Sequence, residues 1–401
     1  MKILILNAGS SSLKYQLIDM DGEKLLAKGL VERIGIEGSH INQKVNGQIF
    51  DAVSPMANHT EGIQWMLKAL LDPEKGALKS MDEIGAVGHR VLHGGERFTA
   101  SVLVNEEVKE AIKANIPLGP LHNPANLMGI EACEKVMPGT PNVAVFDTAF
   151  HQTMPPKAYL YGVPMEYYEK LHVRRYGFHG TSHRYVSKRV CEFLGVDRAK
   201  TRVITCHLGN GSSMCAVENG KCIDTSMGIT PLEGVIMGTR SGSMDPAVVQ
   251  YICNNEHISV DEMLTICNKK SGLLGISGLS SDMRDIDKAA DEGNERAIIA
   301  RDMLVYGIRK YIGSYAAAMN GVDVIVFTAG IGENNCALRE RVMKGFEYLG
   351  AKLDPAKNAG CREEAVISTD DSKVKICVIP TDEEIVIARD TLCIVTGKPI
   401  E

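Results

Sequence analysis

The sequence predicts an α/β protein of two or three domains. Short apolar runs rich in Ile, Leu and Val each end in small or polar residues, which is typical of buried strands that deliver polar groups to a sheet edge. Apolar stripes with helical spacing lie between these runs. At roughly 100–200 residues per domain, 401 residues exceed one ordinary domain.

The N-terminus carries the first strand–turn–strand pattern. Lys2–Leu6 is an apolar run, Asn7–Ser12 is a turn of small residues, and Leu13–Asp19 is a second run. This order predicts a hairpin. Backbone N–H groups and hydroxyls in such a turn are able to hold phosphate, although many Gly/Ser turns only reverse the chain.

The same pattern recurs near the middle of the chain. Arg202–Leu208 is an apolar run, Gly209–Ser213 is a small-residue turn, and Met214–Val217 predicts the next strand. Gly9-Ser10-Ser11 and Gly211-Ser212-Ser213 are 202 residues apart, about half the chain. This repeat indicates two related domains, although so short a match can also arise by chance.

Two further apolar runs end in polar or flexible residues. Val143–Phe146 precedes Asp147-Thr148, and Val322–Phe327 precedes the predicted turn Thr328–Asn334. In open α/β sheets, ligands bind beyond the carboxyl ends of the strands. Both segments are therefore candidate binding residues.

Helix signals lie between the strands. Thr181 or Ser182 is the expected N-cap of one helix, and Gly195 is its expected end. Apolar residues at helical spacing over Leu304–Met319 predict another helix. The Gly-, Ser- and Asp-rich segment Ser271–Glu295 predicts a long surface loop.

Composition limits the functional classes. The net charge of −6 offers no general attraction for nucleic acid. The apolar run at the N-terminus is too short for a signal peptide, and no stretch approaches the roughly 18–20 apolar residues of a membrane span. We expect a soluble cytoplasmic protein that binds neither nucleic acid nor membrane.

The eleven cysteines are scattered, odd in number and without a Cys-x-x-Cys pair. We interpret them as reduced thiols in a reducing compartment. Their spacing does not predict a zinc site.

Six motifs, in order, resemble the acetate kinase family. They run from near the N-terminus to beyond residue 330, which makes the resemblance specific. They are Asn7–Lys14, Phe146–His151, Gly177–His183, His207–Gly211, Gly238–Arg240 and Phe327–Asn334.

The resemblance implies the fold shared by acetate kinases, sugar kinases, Hsp70 and actin. In that fold, two duplicated RNase-H-like domains surround a nucleotide cleft. We expect an N-terminal domain over residues 1–149, with residues 385–401 packing back on it. We expect a nucleotide-binding and dimerisation domain over residues 150–384, and a homodimer, the commonest type of oligomer.

The implied reaction is reversible transfer of the γ-phosphoryl group of ATP to acetate, which gives acetyl phosphate and ADP. Mg²⁺ is the implied metal ion, with Mn²⁺ as a substitute. The implied catalytic residues are Arg90, Asp147, His179 and Arg240. The implied acyl-substrate residues are Arg90, Val91, Leu121, His122, Phe178, Pro231 and Arg240.

The resemblance also implies a nucleotide site and a metal site. Asn7 and Glu383 are the implied metal positions, with Glu384 as the alternative to Glu383. The implied nucleotide residues are Ser10, Ser12, Lys14, His207, Leu208, Gly209, Asn210, Gly211, Asp282, Met283, Arg284, Gly330, Ile331, Gly332, Glu333 and Asn334.

Physical reasons accompany these roles. The guanidinium groups of Arg90 and Arg240 match carboxylates and phosphates bidentately, whereas a single arginine more often serves as a surface charge. His179 and His183 have the i, i+4 spacing of a metal pair, but no third ligand is evident and Gly180 is a poor helix former.

Asp147 is the acid/base candidate implied by the resemblance. Acetate is already ionised at pH 7, so it has no proton for a base to remove. We therefore expect Asp147 to position Mg²⁺ or the arginines.

Three alternatives remain open from the sequence. A propionate or longer-chain acyl kinase uses the same scaffold, because one methylene discriminates by only about 1–3 kcal/mol. A phospho-enzyme on Glu383 would replace direct in-line transfer. An actin- or Hsp70-like ATPase switch is permitted by the fold, because fold does not fix function.

Overall fold

The computed structural model describes residues 1–120 and 122–400. The chain divides into two compact units. Unit 1 is Met1–Phe150 with Asp382–Glu401, and unit 2 is His151–Thr381. The sequence-based boundaries, after residues 149 and 384, remain predictions of domain organisation. Leu121 lies outside the described residues, so its predicted role is not addressed by the structure.

Strands and helices alternate along both units, as expected for an α/β protein. The strands are β1 (Lys2–Ala8), β2 (Ser12–Asp19), β3 (Lys24–Glu32), β4 (His40–Val45), β5 (Gln48–Val53), β6 (Ile84–Val91), β7 (Val102–Leu103), β8 (Asn142–Phe146), β9 (Arg202–Leu208), β10 (Ser212–Glu218), β11 (Lys221–Thr225), β12 (Val324–Thr328), β13 (Ala365–Val366) and β14 (Lys375–Val378).

The helices are α1 (His59–Leu70), α2 (Glu106–Ala114), α3 (Asn123–Val136), α4 (Pro156–Tyr159), α5 (Met165–Leu171), α6 (Gly180–Leu194), α7 (Pro246–Glu256), α8 (Val260–Lys269), α9 (Gly272–Ser277), α10 (Met283–Asp291), α11 (Glu295–Ala318), α12 (Ala329–Asn334), α13 (Cys336–Met343), α14 (Pro355–Asn358) and α15 (Glu383–Val395). Short 3₁₀ turns span Met81–Glu83, Ile116–Leu118, Ala149–Thr153, Arg198–Lys200 and Glu347–Leu349. Within the described ranges, no helix has the length and apolar character that crossing a membrane requires.

The two sheets share one central topology. The sheet of unit 1 has the order β5-β4-β3-β2-β1-β6-β8-β7, and that of unit 2 has the order β11-β10-β9-β12-β14-β13. In unit 1, β1 pairs antiparallel with β2 and parallel with β6, and β6 pairs parallel with β8. In unit 2, β9 pairs antiparallel with β10 and parallel with β12, and β12 pairs parallel with β14. The duplication predicted from the sequence is therefore present in the order and direction of five strands.

The two Gly-Ser-Ser matches, 202 residues apart, do not lie at equivalent positions of the two units. The equivalent strands β1 and β9 end at Ala8 and Leu208, which are 200 residues apart. The reason is where the letters fall in each turn. Gly9 begins the turn after β1, whereas Gly211 ends the turn after β9 and Ser212 and Ser213 are the first residues of β10. Matching Gly-Ser-Ser letters therefore aligned positions that are not equivalent.

Helix α6 shows both a wrong and a correct prediction. Its N-cap is His179, with a left-handed backbone at φ 56°, so the cap predicted at Thr181 or Ser182 was wrong. Few non-glycine residues adopt that conformation, and the sequence gives no sign of it. The predicted end at Gly195 is confirmed, because Gly195 is the left-handed C-cap.

The predicted loop over residues 271–295 was wrong. The segment contains α9 and α10, and the Asp282 side chain caps α10 by accepting from the Arg284 backbone N–H. The polar residues interpreted as loop formers thus include a helix cap. The predicted turn after Thr328 is likewise helical, as α12.

Helix α15 returns the end of the chain to the sheet of unit 1. Alternate residues of β1 face opposite sides of the sheet. Leu4 and Leu6 pack in one core cluster with Met66 of α1 and Cys133 of α3. Ile5, on the other face, lines a cavity together with Ile387 of α15.

Gly88 on β6 permits the close approach of α15. A Cβ atom at this position would lie 2.5 Å from Thr391 Oγ1 and 2.6 Å from Ile387 Cγ2. Any side chain here would push the helix away from the sheet. The N-terminus of α15 carries Glu383 and Glu384, so this packing also positions their carboxylates.

The variant Gly88→Ala should therefore destabilise unit 1. Overpacking of this kind costs about 1–3 kcal/mol of the free energy of unfolding. Trp65 is the single tryptophan of the chain and packs against the core of unit 1, so its fluorescence during denaturant titration reports this unit. Gly85→Ala, on the same strand of unit 1, is the control, because the nearest atoms to a Cβ there all belong to the flexible, exposed side chain of Met1. An unchanged Trp65 transition in Gly88→Ala would contradict the packing argument.

Candidate active site

A pair of oppositely charged side chains lies at the carboxyl edge of the sheet in unit 1. Arg90 lies near the end of β6, and Asp147 follows the neighbouring parallel strand β8. Arg90 Nε donates to Asp147 Oδ1 at 3.0 Å and Arg90 Nη2 donates to Asp147 Oδ2 at 2.7 Å. The Asp147 side chain is 1% exposed. Burial acts to lower the pKa of Arg90, but the charges of Asp147 and Glu383 outweigh it and raise the pKa.

Glu383 is the third charged group of this arrangement. Its Oε2 atom lies 3.7 Å from Arg90 Nε. Burial raises the pKa of Glu383 and Arg90 opposes that rise, while Asp147 adds to it. One guanidinium thus faces two carboxylates, so the ionised set carries a net negative charge. Arg90 pairs with Glu383, so the geometry favours Glu383 over Glu384 as the residue that faces the set.

A cavity of about 330 Å³ adjoins these groups in unit 1. Asn7 and Lys14, paired across β1 and β2, line it together with Arg90, Glu383 and Glu384. The amide oxygen of Asn7 and the carboxylate of Glu383 are ligand types that Mg²⁺ accepts. The cavity therefore brings together both predicted metal positions and the predicted phosphate-side lysine.

Two buried asparagines, which the sequence analysis missed, fix the backbone around this cavity. Asn126 Nδ2 donates to the Ala8 carbonyl at 3.0 Å, and Asn126 Oδ1 accepts from the Leu92 N–H at 3.0 Å. Asn123 Oδ1 accepts from the His93 N–H at 3.1 Å. Helix α3 thus ties the turn after β1 to the end of β6. Two asparagines spaced i, i+3 near the start of a helix were the available signal.

The small-residue turn after β1 is held from two directions. The Gly9 N–H donates to the Ser12 carbonyl at 2.8 Å, and the Gly9 carbonyl accepts from His59 Nε2 at 2.7 Å. Ser10 is exposed and Ser12 is half-buried. The turn therefore presents serines on an anchored backbone.

The predicted acyl-pocket residues of unit 1 have different surroundings. Val91 is fully buried, in a core cluster with Ile112, Ile130 and Phe146. His122 is the half-buried N-cap residue of α3. Their roles in substrate binding remain predictions.

Unit 2 contains a cluster of histidines linked by hydroxyl groups. His179 Nδ1 lies 2.8 Å from Ser213 Oγ, and His183 Nε2 lies 2.7 Å from the same oxygen. The rings of His179 and His207 stack with centroids 4.1 Å apart. Ser182 Oγ lies 2.8 Å from His207 Nδ1. This network was not predicted: Ser182 and His183 belong to the motif Gly177–His183, but only the fold brings Ser213 of β10 beside them.

His183 is the fully buried member of the cluster. Its Nδ1 atom lies 2.6 Å from Thr205 Oγ1. Burial, together with the charges of His151 and His207, holds the pKa of His183 well below its ordinary value of 6.5. In the described part of the chain, no three-residue metal-ligand cluster includes His179 or His183. Although Gly180 does begin a helix, both rings are bonded to hydroxyls.

Arg240 lies beside the small-residue turn of unit 2. A Cβ at Gly211 would be 3.3 Å from Arg240 Nη1 and 3.7 Å from His179 Nε2. Arg240 Nη1 donates to the Pro231 carbonyl at 3.0 Å. Among the residues that the structure describes, no carboxylate pairs with Arg240, and burial lowers its pKa. This half-buried guanidinium is suited to an anion from outside the chain.

The turn over Gly209–Gly211 is locked to the segment that carries Arg240. The Gly238 N–H donates to the Asn210 carbonyl at 3.0 Å. A Cβ at Gly238 would lie only 1.8 Å from Asn210 Oδ1 and 3.0 Å from the Ser281 carbonyl, so a side chain here would displace that of Asn210. Gly238 therefore holds Arg240 in place relative to the turn.

Helix α12 follows β12, and its Glu333 side chain is hydrogen-bonded to the backbone. Glu333 Oε1 accepts from the Ala329 N–H at 2.7 Å and from the Thr381 N–H at 3.0 Å. Arg339, fully buried, donates to the Gly332 and Glu333 carbonyls at 2.8 Å. The Glu333 carboxylate thus accepts hydrogen bonds from the protein backbone. At Gly330, by contrast, a Cβ would have no heavy atom within 4 Å. Arg339 was another residue missed from the sequence.

The segment Asp282–Arg284 also differs from a simple binding loop. Asp282 pairs with Arg284, which lowers the pKa of Asp282 to about 2. Met283 is buried in the core of unit 2. Any contact of this segment with a nucleotide therefore involves the exposed Arg284, the carboxylate of Asp282 or the backbone.

Comparison with known proteins identifies relatives over nearly the whole chain. The sequence profile described as the Acetokinase family matches residues 2–389. An acetate kinase from Clostridium botulinum is 59% identical over 391 residues, which covers 98% of each chain. The crystal structure of Porphyromonas gingivalis acetate kinase has a TM-score of 0.95 at 51% identity and covers 98% of this chain and 99% of that chain. A propionate kinase from Francisella tularensis has a TM-score of 0.91 at 42% identity, with the same coverage.

The buried His183 should make stability depend on pH. Its folded-state pKa is depressed, so the unfolded chain binds the additional proton and stability falls as the pH drops below about 6.5. The variant His183→Gln should reduce the slope of unfolding free energy against pH by about 1.4 kcal/mol per pH unit in that range. Denaturant titrations between pH 5 and 8 measure the slope. His257→Asn, at an exposed left-handed helix end, is the control. An unreduced slope in His183→Gln would contradict this account.

Proposed function

Because this chain belongs to the acetokinase family, we propose that it transfers the γ-phosphoryl group of ATP to acetate and catalyses the reverse reaction. Acetyl phosphate and ADP are the products of the forward direction. The observation that best supports this proposal is Arg240, a half-buried guanidinium beside His179 that pairs with no carboxylate in the described ranges. Such a group binds a small anion or a phosphoryl group in transfer.

Arg90 of unit 1 is the second arginine of the proposal and, unlike Arg240, is paired with a carboxylate. Asp147 accepts two hydrogen bonds from Arg90, which fix the orientation of the guanidinium group. Acetate arrives ionised and needs no general base. We therefore assign Asp147 the task of holding Arg90 and contributing charge, rather than that of moving a proton.

Asn7 and Glu383 are the residues proposed to hold Mg²⁺. They line one cavity beside a charged set that is net negative when ionised, which suits a divalent cation. When bound, Mg²⁺ neutralises charge on the nucleotide phosphates. Lys14, on the strand paired with Asn7, provides a further cation for phosphate oxygens.

His179, Arg240 and the backbone of Gly209–Gly211 form the corresponding set in unit 2. The Nε2 edge of His179 and Arg240 Nη1 lie on the same side of Gly211. Donors fixed before the reaction stabilise charge that develops on a phosphoryl group without reorganising. We propose that this set stabilises the planar phosphoryl group in a direct in-line transfer.

We also propose where the acyl group and the nucleotide bind in unit 2. Arg240 Nη1 donates to the Pro231 carbonyl, and this contact supports Pro231 as a neighbour of the carboxylate-binding group. The open surroundings of Gly330 suit a nucleotide near the start of α12. The family likeness also supports a homodimer in the cytoplasm, which light scattering and cell fractionation would test.

A propionate-preferring kinase is the second candidate. The observation that favours it is the likeness to the propionate kinase from Francisella tularensis at 42% identity. The 59% identity to an acetate kinase favours acetate.

A panel of acids distinguishes these candidates. Hydroxylamine traps acyl phosphate formed with Mg-ATP and acetate, propionate, butyrate or no acid. Trapping should be fastest with acetate and should fall by about 10–200-fold for each added methylene, because a small apolar pocket discriminates by about 1–3 kcal/mol. Faster trapping with propionate would replace the proposed substrate. Phosphate release without any trapped product would favour an ATPase switch.

The variant Asp147→Asn tests the role of Asp147. It should lower kcat by at least about 100-fold, because the fixed Arg90 loses its bidentate partner. The pH–rate profile should keep the ionisations of the wild type. Asp390→Asn, which alters another buried carboxylate of unit 1, is the control and should retain kcat. If a wild-type ionisation disappears in Asp147→Asn, the carboxylate transfers a proton and our assignment is wrong.

A further inference from the structure

A buried group of three soft ligands lies in unit 2, apart from the residues assigned to phosphoryl transfer. It consists of His151, Cys215 and Cys222, and one potential ligand atom from each lies within 4.8 Å of the others. His151 Nδ1 is 3.1 Å from Cys222 Sγ, and the two sulfur atoms are 3.5 Å apart. All three side chains are inaccessible to solvent.

The ring of His151 is oriented for this group. Its Nε2 atom lies 2.9 Å from the Phe178 carbonyl oxygen, which can only accept, so Nε2 carries the proton. In the neutral ring, the lone pair of Nδ1 then faces Cys222. A histidine that binds a metal through one nitrogen commonly donates from the other to a backbone carbonyl. Gly177 holds the ring closely, because a Cβ there would lie 2.8 Å from His151 Cδ2.

The two cysteines are fixed by the hairpin of β10 and β11. Thr153, in the same 3₁₀ turn as His151, donates through Oγ1 to the Cys222 carbonyl at 2.7 Å. This hydrogen bond joins the histidine segment to β11. The three ligands are thus held by two elements that are bonded to each other.

We propose that His151, Cys215 and Cys222 form a binding site for a thiophilic divalent cation of the Zn²⁺ type. Tetrahedral angles with Zn–S bonds of about 2.3 Å place two sulfurs about 3.8 Å apart. The observed 3.5 Å needs an opening of only a few tenths of an ångström. Cys sulfur and His nitrogen are the ligands that Zn²⁺ prefers.

Charge balance favours a divalent ion at this position. Binding replaces two S–H bonds with two metal–sulfur bonds and releases two protons to solvent. The product contains two thiolates, one neutral imidazole and one M²⁺ ion, so it carries no net charge. A neutral complex avoids the large cost of burying an isolated charge.

The separation of the ligands along the chain explains why the sequence did not predict the site. His151 precedes Cys215 by 64 residues, and the two cysteines are seven apart. These intervals match no familiar zinc spacing. The hairpin and the 3₁₀ turn bring the ligands together, so the proposal replaces the expectation that the chain has no zinc site.

Titration of the full-length chain with Cd²⁺ tests the proposal. The protein is first stripped with a chelator and kept reduced. The ultraviolet absorption of cadmium–thiolate bonds should rise to an end point of one ion per chain, and Zn²⁺ should displace it. Cys215→Ala and Cys222→Ala should each weaken binding by at least about 10-fold. Cys377→Ala is the control, because Cys377 is buried elsewhere in unit 2.

A second measurement does not depend on variants. X-ray absorption at the zinc edge of the loaded wild-type chain should show two sulfur ligands at about 2.3 Å and one nitrogen at about 2.0–2.1 Å. Absence of a one-to-one end point would overturn the proposal, as would a cadmium band that survives in both variants. A Cys215–Cys222 disulfide, which mass spectrometry detects in the reduced preparation as the loss of two hydrogens, would also overturn it.

Discussion

The bidentate contact between Arg90 and Asp147 is the interaction on which the arrangement of unit 1 depends. It joins the carboxyl ends of β6 and β8. Arg90 also pairs with Glu383 at the start of α15. Burying the Asp147 carboxylate without a partner would cost several kcal/mol, so the guanidinium must remain in place. The close packing at Gly88 and the hydrogen bonds of Asn126 hold the two sides of this edge.

The two arginines proposed for the reaction, Arg90 in unit 1 and Arg240 in unit 2, have different partners. Arg90 pairs with two carboxylates of its own unit, whereas Arg240 donates to a carbonyl and pairs with no described carboxylate. A guanidinium that is paired with carboxylates orients a bound group through its fixed hydrogen-bond donors. An unpaired guanidinium attracts an anion through its charge. In the proposed reaction, Arg90 has the first of these roles and Arg240 the second.

The sequence predicted the parts of the fold that short-range patterns encode. Apolar runs located β1, β9 and β12, and Gly195 marked the end of α6; the family resemblance carried by the motifs is confirmed by the match over residues 2–389. Long-range placement was not encoded in this way. No local pattern shows that Arg90 and Asp147, 57 residues apart, lie on adjacent strands. The left-handed His179 and the buried Asn126 and Ser213 are likewise consequences of packing, and they became visible only in the structure.

During synthesis, the sheet of unit 1 must wait for its last helix. Phe150 and Asp382 are 232 positions apart, and all of unit 2 is encoded between them. At about 5–20 residues per second, roughly 10–50 s pass on the ribosome before α15 is made. Throughout that interval the face of β6 around Gly88 lacks its covering helix, and the nascent chain exposes an apolar surface of the kind that chaperones recognise. Arg90 also lacks Glu383 during this time, so the charged set of unit 1 is assembled only after Glu383 has emerged from the ribosome.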